Sequence, residues 1–280
     1  MPRLTVNLFD NTFRHDVCSV AGKVPTYIEY VRDQFYWDGI TLFVDGCARD
    51  RKLVDSVHSK VKIGWLHEPP CLHPEDYDGV YLDGLDYLLT YAERFAAHPK
   101  AIYAPYGGIW IPRERWGVHK KTKLCSMLIG SKMETAGHRI RHQIADLAEP
   151  LGVVDFYGVR GTLVGYGWQT KEMVLKDYAF TIVTEACYEN GLFTEILLDC
   201  FAMGTIPIFW GCPNIDHYFM HNGIIEFTSA AEMYGILPTL SMQLYKKMLP
   251  DAVTNYGMAR QYEITEDWIY THVLRMMELA

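Results

Sequence analysis

Two series of short apolar runs, each alternating with helix-compatible stretches, govern what this chain can fold into. In the first half, Leu4–Phe9, Ile40–Val44 and Val61–Leu66 read as strands. Between them Val24–Phe35 carries apolar residues at Val24, Tyr27, Ile28 and Val31, which is helical spacing, and Leu85–Ala97 reads as a second helix. The second half restarts the pattern. Leu124–Ile129, Val153–Tyr157, Ala179–Val183, Ile206–Phe209 and Ile224–Phe227 read as strands, with helices over 138–147, 193–203, 229–237 and 241–249. The last segment, Glu263–Leu279, reads as an amphipathic helix. Alternation of this kind specifies βαβ units and parallel sheets. Residues 105–123 interrupt it with two prolines, three glycines and a basic run from His119 to Lys123, and so form the linker between the series.

The remaining arithmetic narrows the function classes. At roughly 100–200 residues per domain, 280 residues make one large domain or two small ones. Lys and Arg number 26 against 34 Asp and Glu, a net charge of −8. That sign argues against a dedicated nucleic-acid binder but permits a local basic pocket for a phosphorylated small molecule. No apolar run approaches the ~18–20 residues that span a bilayer. The opening MPRLTVNLFD reads directly as a strand rather than as a signal peptide, so a soluble, cytoplasmic chain is expected. Seven cysteines without a CxxC pair argue against a zinc site or a disulfide framework and point to reduced, mostly buried thiols. No HExxH, GxSxG, GxxxxGK[ST] or GxGxxG motif is present. The glycine-rich Gly161–Gly167 is no phosphate fingerprint and reads as a loop able to close over a ligand.

The most informative stretch is residues 176–213. A buried strand ends in the polar loop Thr184-Glu185-Ala186-Cys187-Tyr188-Glu189-Asn190-Gly191, and the loop feeds a helix beginning at Phe193-Thr194-Glu195. The first N–H groups of such a helix lack partners within it and lie at the positive end of its dipole, which suits a diphosphate or hydroxyls. Glu195 in the first turn can complement that dipole or accept hydrogen bonds from ribose hydroxyls.

This stretch resembles the donor-binding domain of the α1,3/4-fucosyltransferases and, more loosely, the exostosin-type glycosyltransferases. The family's strand, FEN loop, TEK helix start and GT-(I/V)-P-(I/V)-xxG run stand here as Thr184-Glu185, Thr194-Glu195-Ile196 and Gly204-Thr205-Ile206-Pro207-Ile208-Phe209-Trp210-Gly211. A second match lies upstream. Ser131-Lys132 is followed by His138-Arg139-Ile140-Arg141 and then by the strand ending Tyr157-Gly158. The likeness covers residues 124–230. It implies a GT-B architecture of two facing Rossmann-like α/β domains with parallel sheets and an inter-domain cleft. On that reading residues 1–118 bind the acceptor and 119–262 the nucleotide sugar, while 263–280 pack back on the first domain.

The resemblance also assigns roles. Arg141, with Arg139 one turn-neighbour away, matches the family's diphosphate-binding arginine, and Glu195 its ribose-holding glutamate. Ser131, Lys132, Tyr157, Gly158, Thr184, Glu185, Asn190 and Thr194 line the donor site on this reading. The family's lysine after TE is Ile196 here. One cation is thereby lost, which favours a UDP-sugar such as UDP-xylose over GDP-fucose.

An inverting transfer needs a carboxylate to deprotonate the acceptor hydroxyl. Glu68 stands just past the strand Val61–Leu66, in a loop stiffened by Pro69-Pro70, and the family has a similar E-x-P. Asp76, Asp45 and Asp10 are reserves. Asp76-Tyr77-Asp78 has the DxD spacing that binds Mn²⁺ or Mg²⁺ in other glycosyltransferases, but it follows no predicted strand, so metal independence is expected. The expected partners are a nucleotide sugar and an oligosaccharide or glycoprotein acceptor, with no nucleic acid and no membrane span. The rivals are a GDP-fucose-dependent fucosyltransferase, a metal-dependent transferase using Asp76 and Asp78, and a binding module that kept the fold without catalysis.

Overall fold

The computed structural model describes residues 3–11 and 17–279. The chain forms two compact units, Met1–Gly108 with Ile264–Ala280, and Ile109–Glu263.

The first unit holds β1 (Leu4–Phe9), β2 (Ile28–Arg32), β3 (Tyr36–Val44), β4 (His58–Leu66), β5 (Tyr87–Thr90) and β6 (Ala101–Tyr103), with short helices α1 (Gly46–Arg49), α2 (Arg51–Ser56) and α3 (Pro74–Gly79). All six strands run parallel, in the order β2-β1-β3-β4-β5-β6. A parallel sheet is covered on both faces, so its central strands are apolar on both sides. β3 shows this: Leu42 and Val44 join one core, and Phe43 between them joins another with Cys47, Ala48 and Val54. At Gly64 of β4 a side chain would not fit, because a Cβ there would lie 2.6 Å from Leu85 Cδ1.

Two expected helices of this half are strands. Val24–Phe35 contains β2 and Leu85–Ala97 contains β5. Both stretches are rich in aromatic and branched residues, and pairing with β1 and β4 buries Ile28, Leu88 and Leu89 more completely than one helix face could.

The second unit holds β7 (Lys123–Ile129), β8 (Asp155–Gly158), β9 (Tyr178–Thr184), β10 (Ile206–Trp210) and β11 (Ile225–Glu226). Its helices are α4 (Ala136–Ala148), α5 (Trp168–Leu175), α6 (Glu195–Ala202), α7 (Ala230–Ile236) and α8 (Met242–Ala259). The five strands are again all parallel, ordered β11-β10-β9-β7-β8. α5 has no counterpart in the sequence reading, and α8 runs ten residues past its expected end at 249, through Pro250.

The division falls at 108/109 rather than at the expected 118/119. Residues 109–117 are tied into the second unit: Ile109 N donates to Glu263 O, Trp110 N and Ile111 N donate to Asp199 Oδ1, and Gly117 N donates to Ala202 O. The basic run that looked like the hinge is part of the second unit; its Lys121 is buried.

The terminal segment is a short helix, α9 (Thr265–Ile269), continued by a wider π-turn over Tyr270–Leu274. It belongs to the first unit, where Ile269, Val273 and Leu274 complete the core over β1, β3 and β4. Full burial of side chains of this size is worth roughly 1.5–3 kcal/mol each. The buried Glu266 carboxylate fastens it, accepting from Ser19 N at 2.5 Å and Ser19 Oγ at 3.0 Å.

Reduced thiols hold at Cys18, Cys47, Cys125, Cys200 and Cys212; Cys71 and Cys187 are not among the free ones. No helix among the described residues is long and apolar enough to cross a membrane.

Candidate functional site

In a parallel α/β sheet the loops after the strands and the N-termini of the following helices gather at the carboxyl edge, and ligands bind there. In the second unit that edge is made by the loops after β7, β8 and β9. Glu185 directly follows β9 and is only 1% exposed. Its carboxylate accepts from Thr194 N at Oε1 and from Thr194 Oγ1 at Oε2, both at 2.9 Å. Burial pushes its pKa up to about 8. Thr194 in turn caps α6, its Oγ1 accepting from Ile196 N. Glycines make room for this packing: a Cβ at Gly211 would lie 2.4 Å from Glu185 Cγ, and one at Gly137 would overlap the Glu185 carbonyl oxygen.

Arg141 projects from α4 to the end of β7. Its guanidinium lies over Gly130, where a Cβ would be 3.6 Å from Nη2, and Nη2 donates to Lys132 O at 3.1 Å. Its buried Nε has no hydrogen-bond acceptor, and no carboxylate pairs with it among the described residues. Burial lowers its pKa from the ordinary value. A half-buried guanidinium without a carboxylate can bind two phosphate oxygens at once.

Glu195 opens α6 and takes part in a cluster absent from the sequence reading. Lys171 of α5 lies 3.6 Å from Glu195 Oε1 and 3.2 Å from Asp199 Oδ2, and its ammonium sits 5.0 Å from the centre of the Trp110 ring. Desolvation opposes the charge on Lys171, but Asp199 and Glu195 more than restore it and raise its pKa. One ammonium does not saturate a carboxylate, so Glu195 can still accept from a hydroxyl. Lys171 was missed because it stands 24 residues before Glu195, on a helix the sequence reading did not find.

Other predicted residues have structural employment. Arg139 folds back on its own loop, donating to Glu134 O at 2.8 Å and Met133 O at 3.4 Å. Tyr157, next to the carboxyl end of β8, shares a 2.6 Å hydrogen bond with the hydroxyl of Tyr178, which opens β9. Thr184 Oγ1 donates to Gly137 O. Gly158, at φ +84°, passes so close to Ile129 O that a Cβ would lie 2.2 Å from it. Ser131 and Lys132 are exposed in the loop after β7, and Asn190 is half-buried in the loop before α6.

The first unit has its own carboxyl edge, where Glu68 follows β4. Asp45, ending β3, takes His67 N at 2.7 Å and Glu68 N at 3.2 Å on its Oδ1. Tyr77 Oη donates to Glu68 O at 2.7 Å. The peptide of Glu68 is therefore held from both sides. Asp45 adopts φ +46°, a backbone cost of ~1–3 kcal/mol for a residue other than glycine. His67 stacks on Tyr106 and lies tilted against Trp65, and burial pulls its pKa down to about 3, so it stays uncharged beside Glu68. The reserve carboxylates have partners: Asp10 pairs with Arg32, and Asp76 of α3 with Arg49 at 3.0 Å. Asp78 of the DxD string pairs with Arg94.

No protein-family model matches the chain, and no curated protein matches it. Among solved structures, the chain is similar to an α1,3-fucosyltransferase at 14% identity, covering 85% of this chain and 82% of that one with a TM-score of 0.55. It is similar to a pneumococcal O-GlcNAc transferase solved with UDP and GlcNAc, at 14% identity over 86% of this chain and 56% of that one, TM-score 0.56. A UDP-forming α,α-trehalose-phosphate synthase from Burkholderia xenovorans, solved with glucose-6-phosphate, matches at 11% identity over 86% and 73%, TM-score 0.56. At these identities the likeness is one of fold. What the chain shares with them is the GT-B architecture, built from two all-parallel α/β domains.

Proposed function

We propose that this chain is a glycosyltransferase that moves a sugar from a nucleotide-sugar donor to a hydroxyl of a glycan acceptor, with inversion and without a metal. The observation that carries the reading is Arg141: a half-buried guanidinium at the carboxyl edge of the second unit, with no carboxylate against it among the described residues. Arg141 binds the donor's diphosphate, and Glu195 accepts from ribose hydroxyls. Glu68 takes the proton of the acceptor hydroxyl as its oxygen forms the new bond to the anomeric carbon. The bond from that carbon to the diphosphate breaks, and the electron pair leaves with the nucleoside diphosphate, whose charge Arg141 stabilises. Fucosyltransferase structures were solved with GDP-fucose and with GDP, and the pneumococcal transferase with UDP. With Ile196 in place of the fucosyltransferase lysine, the reading favours a UDP-sugar, UDP-xylose among the candidates, over GDP-fucose.

The test is a thermal-shift and calorimetric screen over UDP, GDP, UDP-xylose and GDP-fucose, run beside donor hydrolysis in EDTA. The reading expects one nucleotide to bind and its sugar to be hydrolysed, with Glu68→Gln abolishing turnover while binding persists. Binding without turnover on any acceptor replaces the enzyme with a binding module. Absence of binding by all four removes the reading.

A further inference from the structure

The first sheet carries a second feature, at the end opposite Glu68. β3 and β4 extend beyond their neighbours: β1 pairs with β3 only from Thr41 onward, and β5 pairs with β4 only from Ile63. Residues 36–40 and 58–61 therefore stand out as a two-stranded parallel ribbon with no flanking strand among the described residues. A two-stranded ribbon is marginal on its own, so its retention calls for a reason.

The ribbon is also irregular. From Trp37 to Ile40 β3 advances three residues while β4 advances two, from Ser59 to Val61. Bulges are rare in parallel pairs and re-aim side chains. Here the bulge accompanies an open, shallow groove lined by Tyr36, Trp37, Asp38, His58, Ser59, Lys60 and Lys62. Gly39 lets the indole of Trp37 lie over the bulge, since a Cβ there would be 2.9 Å from Nε1. That Nε1 is buried and has no acceptor among the described residues.

The lining has a defined chemistry. Tyr36 is 79% exposed and stacks on His58, ring centres 5.0 Å apart at 15°. Asp38 and Lys60 neutralise each other across the ribbon at 2.9 Å, and the neighbouring Lys62 directs its ammonium to Val54 O. Flat exposed rings take the C–H face of a pyranose, while the Ser59 hydroxyl and the Asp38 carboxylate meet hydroxyls. A nucleic-acid strand would also stack, but its phosphates need several free cations, whereas of the lining lysines Lys60 is paired with Asp38 and Lys62 donates to Val54 O. We propose that the ribbon groove is a binding site for a neutral oligosaccharide, separate from the candidate site at the carboxyl edge. The nine residues of β3 put roughly 26 Å between Tyr36 and the end at Val44.

This inference goes beyond the transferase reading and is tested without nucleotide, so either can fail alone. The full chain is titrated calorimetrically with chitohexaose, cellohexaose and mannohexaose. At least one is expected to bind. Tyr36→Ala is expected to weaken it about tenfold and Trp37→Phe several-fold. Tyr36→Phe, which keeps the ring and so guards against simple loss of the ribbon, is expected to bind like the parent. Failure of all three sugars to bind at millimolar concentration overturns the proposal. So does binding that survives both Tyr36→Ala and Trp37→Phe, or displacement of the bound sugar by single-stranded oligothymidine.

Discussion

Thr194 gives both its backbone N–H and its hydroxyl to the two oxygens of Glu185, each at 2.9 Å. One residue thereby caps α6 and solvates a carboxyl group buried at the end of β9. Thr194→Val keeps the shape and removes the hydroxyl. A lost cap costs ~1 kcal/mol, and a buried carboxyl group short of one donor adds ~1–3 kcal/mol. A drop of about 2–4 kcal/mol in urea unfolding is expected, and a loss below about 0.5 kcal/mol would show that the pair is incidental.

Glu185 also makes a pH prediction. Its folded-state pKa, raised by burial to about 8, lies above the ordinary 4.5. Its proton is thus held more tightly in the folded state, so the stability it contributes is complete below about pH 4.5 and is lost as pH rises towards about 8. Glu185→Gln removes this titration. The variant should gain on the parent in urea midpoint between about pH 5 and about pH 8; a difference independent of pH refutes the assignment.

Lys121 is buried with its ammonium directed at four oxygens: Leu175 O, Lys176 O, Met203 O and Thr205 Oγ1, at 2.8–3.3 Å. The carbonyls belong to the ends of α5 and α6, whose last C=O groups have no partner within the helix. Lys121→Met fills the space but takes the donor away from Lys176 O and Met203 O and leaves Leu175 O with only the Thr205 hydroxyl. A loss of about 2–4 kcal/mol in chemical unfolding is expected.

Asp45 should act through Glu68. Asp45→Asn keeps an acceptor for the His67 and Glu68 N–H groups, whereas Asp45→Ala removes it. On the proposed function, Asp45→Ala lowers kcat about tenfold or more with donor affinity unchanged, and Asp45→Asn restores most of it. Equal losses in both variants would point to a purely structural role.

Arg141→Ala should weaken nucleoside diphosphate binding by tenfold or more, because a hydrogen bond to a charged group is worth ~1.5–3 kcal/mol. Arg141→Lys should recover part of this through charge alone. Stability should change little, since the guanidinium has no carboxylate to leave unpaired among the described residues. Calorimetry with UDP and GDP measures the first effect and urea unfolding the second.

The alternation of apolar runs was enough to indicate two parallel α/β sheets, and the stretch from β9 to β10 was legible in detail. There Glu185, Thr194 and Glu195 lie within eleven residues, so the strand end, the loop and the helix start are local events whose residue types state their roles. β2 and β5 were not legible as strands, because helical spacing in a short apolar run says only that residues are buried. The neighbouring strand decides how. Nor could the sequence pair Lys171 with Glu195 and Asp199, or Asp45 with the peptide of Glu68 23 residues away. Hydrophobic periodicity reports which face of one element is covered. Hydrogen bonds and ion pairs across elements depend on strand order and on where each helix begins, and only the assembled sheets determine those.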